Sequence, residues 1–127
     1  MQEQLFEYAV VRVVPKVERE EFLNVGIILL CATLKFLGSR VIVDDQRLFS
    51  LCPDVDIEVV AGHINSFQLI SAGGPNGGPI GLLSPAERFR WLTASRSTMI
   101  QTSNVHPGLC LDPQETLNHL YRTLVEC

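Results

Sequence analysis

At 127 residues the chain is a single domain, long enough to bury a real core. Apolar residues make up 46% of it and charged residues 19%, which excludes a disordered chain. A formal charge of -4 speaks against general nucleic-acid binding, which needs a basic surface.

The predicted elements, in chain order, start with a strand from Phe6 to Val14. Neither of its faces is polar, so it is expected in the middle of a sheet. Arg12 interrupts the run and must be paired there, with Glu18, Glu20 or Glu21, or must reach a wet cleft. Pro15 ends the strand. Lys16 to Phe22 is a charged turn or loop. Val25 to Ala32 is a second buried strand, and Gly26 within it points to a bulge or a close backbone approach. The apolar run from Val25 to Leu34 is about half the ~20 residues of a membrane span, so none is expected. Lys35 to Val43 supplies a third strand.

Asp44-Asp45 opens a short helical segment that Pro53 stops. Asp54 is expected to cap the next helix, which runs to about Ser71 with Val55, Val59, His63 and Phe67 on one apolar stripe and Val60, Ile64 and Ile70 beside it. Gly73 to Gly81 holds five glycines in nine residues and fits no phosphate-loop pattern, so it reads as a mobile loop. Ser84-Pro85-Ala86-Glu87 is a capping box that starts a helix to about Ala94. Residues 97–103 read as a strand, with Thr98, Ile100 and Thr102 on one face and Ser97, Met99, Gln101 and Ser103 on the other. Val105-His106-Pro107-Gly108 is a predicted turn. Asp112-Pro113-Gln114-Glu115 starts a last helix carrying Leu117, Leu120, Tyr121 and Leu124. The order β-β-β-α-α-α-β-α implies one α+β domain over residues 1–127. Its sheet is antiparallel or mixed, of about four strands, with helices mainly on one face.

Cys31, Cys52, Cys110 and Cys127 form no C-x-x-C pair and match no zinc spacing, so reduced thiols and a cytoplasmic protein are expected. The first residues, Met1-Gln2-Glu3-Gln4, have no basic n-region, and no signal peptide is read there. No metal site or cofactor is indicated. His63 and His119 have no second ligand at metal spacing, and adjacent carboxylates such as Asp44-Asp45 and Glu20-Glu21 point apart.

Two stretches carry a resemblance. The first is Tyr8-Ala9-Val10-Val11-Arg12-Val13-Val14-Pro15 with Arg19-Glu20-Glu21-Phe22 and Asn24-Val25-Gly26. The second is Trp91-Leu92-Thr93-Ala94 with Arg96 to Ser103 and Val105-His106-Pro107-Gly108. Together they resemble a bacterial family catalogued as domain-of-unknown-function family 3037, over nearly the whole chain. The family has no established activity and brings no catalytic residues. Its resemblance implies an accessory role beside kinase-like proteins of the HipA type.

The residues suited to chemistry gather around the polar strand. Arg88, Arg90 and Arg96 fall within nine residues, and Arg12 and Arg19 can join them. Arginine binds phosphate or carboxylate with two parallel hydrogen bonds. Arg12, Arg96, Ser97, Gln101, Ser103 and His106, with Asn24, therefore form the candidate site for an anion. The alternative for the arginines is structural pairing or solvation. His106 is the one candidate for a general base, but no nucleophile elbow accompanies it. Two functions fit. One is a binding or accessory module that presents this site to a partner protein or a small anionic ligand. The other is a small hydrolase or transferase acting on a phosphorylated or nucleotide substrate.

Overall fold

A computed structural model describes residues 2–126, so Cys127 lies outside the described residues. The expected α+β fold is present, built on one antiparallel sheet. Strand β1 (Gln4–Val13) is central. On one side it pairs with β2 (Leu23–Cys31), which pairs in turn with β3 (Phe36–Val41). On its other side lie two short strands end to end, β4 (Ile100–Thr102) against Val11 to Val13 and β5 (His106–Cys110) against Gln4 to Tyr8. The sheet thus has five strands but is four strands wide.

β5 occupies residues that read as a turn. Proline and glycine in the segment mask it, because proline cannot donate to a ladder. The register shows why it is tolerated. The Val10 carbonyl accepts from the Ser103 N–H at 2.8 Å, and Val14 donates to the Met99 carbonyl at 2.7 Å. Even-numbered residues of β1 therefore bond toward this edge. Pro107 stands opposite Glu7, an odd position, so its missing N–H lies on the free outer side. Between β4 and β5, the step from Val10 to Tyr8 on β1 faces the longer step from Ser103 to His106. The extra residue is a bulge. The chain before Ile100 is irregular, so the strand is shorter than 97–103.

Both faces of β1 are used. Ala9, Val11 and Val13 face a core shared with α1 (Asp45–Leu51), α2 (Ile57–Ala72) and α4 (Pro85–Leu92). Phe6 and Val10 face a second core closed by α5 (Pro113–Tyr121). α5 ends in a wider π-turn over Arg122–Glu126, and Val125 is buried there while Leu124 is exposed. Gly26 lies beside a second bulge, in the β1–β2 pairing, where the register slips between Val11 and Arg12. A Cβ on it would meet the Arg40 carbonyl oxygen at 2.5 Å and a Val41 methyl at 2.6 Å. Close approach of β3 is what requires glycine there.

The helix signals hold with two shifts. Asp56, not Asp54, caps α2, accepting from Glu58 and Val59 N–H groups. Starting two residues later, the helix buries Val60, Ile64, Phe67 and Ser71, and it leaves Val59 and His63 exposed. The glycine-rich stretch is not an irregular loop. It folds as a 3-10 turn (Pro75–Gly77) and a single helical turn α3 (Gly78–Gly81), closed by the Gly74 N–H on the Gly81 carbonyl at 2.8 Å.

Arg88 holds that stretch in place. It is 9% exposed, buried on α4, and donates to three backbone carbonyls: Leu83 at 3.0 Å, Ile70 at 3.0 Å and Ser71 at 2.7 Å. Two of these are at the C-terminal end of α2, where carbonyls lack helical partners and a cation is favoured. Arg88 is therefore a structural cap and takes no part in an anion site. Arg88→Ala should lower stability by about 2–4 kcal/mol, since it strands buried carbonyls and leaves a void. Urea unfolding would measure this, and a loss well under about 1 kcal/mol would contradict the capping role.

Candidate functional site

Alternation along β1 puts Tyr8, Val10 and Arg12 on one face, where Val10 is buried in the core that α5 closes while Tyr8 and Arg12 stay half-buried. Arg12 stands opposite Asn24 of β2 and Gln101 of β4, so all three side chains share that face. Its Nε donates to Asn24 Oδ1 at 3.4 Å, and its guanidinium sits 4.1 Å from the centroid of the Phe22 ring. The expected pairing with Glu18, Glu20 or Glu21 does not occur. Arg19 takes Glu21 at 2.6 Å instead, and among the described residues no carboxylate lies within ion-pair distance of Arg12. A half-buried cation held by an amide and an aromatic ring keeps most of its donors available.

Around Arg12 the same face carries three more of the expected site residues. Gln101 is turned back, donating from Nε2 to the Thr98 carbonyl at 2.8 Å. His106 stands opposite Tyr8, exposed, with the two rings 5.4 Å apart and tilted by 38°. Ser103 lies between them. Its hydroxyl accepts from the Val10 N–H at 2.8 Å and donates to the Asn104 carbonyl at 2.9 Å. That hydroxyl fastens the bulge, and no hydrogen bond joins it to His106. A serine nucleophile needs its base within hydrogen-bond reach, which this pair does not provide.

The other expected members go elsewhere. Arg96 stacks on Trp91, 3.9 Å from the ring centroid, and donates from Nη2 to the Trp91 carbonyl. It lies with α2 and α4 on the opposite side of the sheet, so Arg12 and Arg96 do not converge. Ser97 is exposed in the irregular chain before β4 and joins neither group. Arg90 makes a two-bonded pair with Glu7, at 2.7 and 2.9 Å. The sequence signal that could have separated these arginines is strand parity, which sets Arg12 with Tyr8. Nothing in it betrays the stacking of Arg96.

A second cleft, of about 230 Å3, escaped the sequence reading. It lies between Pro15–Glu21 and Leu51–Asp54. Its cations face their own carboxylates, Lys16 with Asp54 at 3.6 Å and Arg19 with Glu21. Cys52 donates to Asp54 Oδ1 at 3.1 Å, and that hydrogen bond to a carboxylate, with burial, pushes the thiol's pKa up. A thiol kept protonated is a poor nucleophile. Among the described residues no cluster of His, Cys, Asp or Glu could hold a metal ion, and no helix is long and apolar enough to cross a membrane.

The fold and this face define a small α+β domain with half-buried polar side chains on its central strand. Over residues 8–125 the chain matches the family described as "Protein of unknown function (DUF3037)", and it belongs to that family. No curated protein and no solved structure matches the chain.

Ser103→Ala should cost about 1–2 kcal/mol, because the Val10 N–H loses its partner on a largely buried strand. Amide hydrogen exchange at Val10 should speed up in step. Unchanged exchange there would remove the clamping role of Ser103 and reopen the hydroxyl to other uses.

Proposed function

We propose that this domain is a non-catalytic binding module. Its ligand is an anionic oxygen group, carried by a partner protein's acidic surface or by a small molecule. The carrying observation is Arg12: half-buried on the central strand, without a carboxylate, and flanked by Asn24 and Gln101, with His106 farther along the same face opposite Tyr8. Phe22 adds a flat aromatic surface against it, and Tyr8 with His106 adds another farther along the same face. Such a face suits a broad docking contact with one charged anchor better than it suits an enclosed reaction. The enzyme reading needs a proton carrier beside a nucleophile, and Ser103 is already occupied at both ends of its hydroxyl.

The family resemblance offers a kinase-like protein of the HipA type as a partner to try. A reducing, cytoplasmic setting agrees with the free thiols of Cys31, Cys52 and Cys110.

Titration of the labelled protein with inorganic phosphate, and separately with a glutamate-rich peptide, tests the reading by amide NMR. Shifts should centre on Arg12, Gln101 and His106. Stronger binding of the peptide would mark a protein partner, and stronger binding of phosphate a small anion. Arg12→Gln should weaken either by roughly tenfold or more, the value of a charge-assisted hydrogen bond. Shifts centred elsewhere, or undiminished binding by a folded Arg12→Gln variant, would sink it.

A further inference from the structure

On the helix side of the sheet, a cleft of about 250 Å3 opens between α2, α4 and the chain leading into β4. Its floor is apolar, with Phe67 and Leu92 buried and Ile70 and Ile100 half-buried. Its rim carries charge. Arg96 is fixed there by the Trp91 ring and the Trp91 carbonyl. Those contacts use one of the five guanidinium N–H donors. Among the described residues no carboxylate lies within ion-pair distance of Arg96 and no second acceptor meets it. His63 stands exposed on the same rim.

We propose that this cleft binds a small carboxylic acid with an apolar body. The carboxylate meets the free edge of Arg96, with His63 as a neighbouring donor. The hydrocarbon lies on Phe67, Ile70, Leu92 and Ile100. One fixed cation above an apolar floor matches a monoanion with a greasy tail. A phosphate dianion would bring more charge than the rim offers and nothing to cover the floor. Holding the guanidinium on the indole before the ligand arrives lowers the ordering cost of binding. The site is separate from the face around Arg12, on the other side of the sheet.

Trp91 is the chain's only tryptophan and borders the cleft, so its fluorescence reports occupancy directly. The probes are hexanoate, hexan-1-ol with the same tail and no charge, and acetate with the charge and no tail. Hexanoate should give a saturable change at roughly millimolar strength, as expected for so small a ligand. Hexan-1-ol and acetate should each bind roughly tenfold or more weakly, and Arg96→Gln should weaken hexanoate by a similar factor. Amide shifts in the unaltered protein should centre on 63–70 and 96–100, which decides the matter even if the variant misfolds. No saturable response, an equal response to hexan-1-ol, or shifts centred on Arg12 would overturn the proposal. Because phosphate binding at Arg12 is read at different residues, either reading can fail alone.

Discussion

The structure depends on β1 being paired along both edges and packed on both faces. A strand so placed has little free side to give to solvent, and its composition follows. Ala9, Val11 and Val13 serve one core, and Phe6 and Val10 the other. Everything else is arranged to meet these demands. Three helices cover one face, while α5 covers the far part of the other. The outer edge is filled by one interrupted strand, β4 and β5, joined across a bulge that Ser103 fastens. On the even face of β1, Phe6 and Val10 are buried in the core that α5 closes, while Tyr8 and Arg12 stay half-buried, and there the side chains carry polar groups. Arg12 is tolerated on a central strand because its end of that face is not roofed.

The main architecture was legible because it rests on local patterns with few competitors. Apolar runs rich in β-branched residues mark β1 and β2, and the proline-led caps at Ser84 and Asp112 mark α4 and α5. The misses are of one kind. β5 was hidden because Pro107 and Gly108 signal a turn unless the strand is known to lie at an edge with Pro107 facing outward. That is a fact of tertiary pairing. The centre of α2's inner face shifts from Val59 and His63 to Val60 and Ile64, because Asp54 and Asp56 are both good caps two residues apart. The choice of Asp56 goes with Asp54 being engaged by Cys52 and Lys16. The glycine-rich stretch gained order from Arg88, whose reach from α4 back to the end of α2 no local pattern reveals.

The arginines show why a candidate site is harder to read than a fold. In sequence they look alike, three of the four within nine residues, but each has a different environment. Arg88 caps a helix, Arg90 pairs on the surface with Glu7, Arg96 rides on Trp91, and Arg12 rests on Phe22. An exposed pair such as Arg90–Glu7 adds under about 1 kcal/mol. A buried cap such as Arg88 is worth several times that by the same kind of reckoning. The charge alone does not decide which is structural and which is available. What each guanidinium faces does: of these four, Arg12 and Arg96 rest on an aromatic ring with neither a carboxylate nor a set of backbone carbonyls taking up their donors.

Those two arginines could not have formed a single pocket, and the reason is the pleat. Residues of β4 alternate between the faces, so Ile100 and Thr102 turn toward the helices while Gln101 turns toward Arg12. Arg96 enters from the helix side, where Trp91 receives it. A candidate set drawn from one stretch of sequence therefore splits across the thickness of the sheet. What results is two half-sites of different character: a broad polar face with one charged anchor, and a narrow apolar cleft with one charged rim. Strand parity separates them, and the helices decide which of the two acquires a wall.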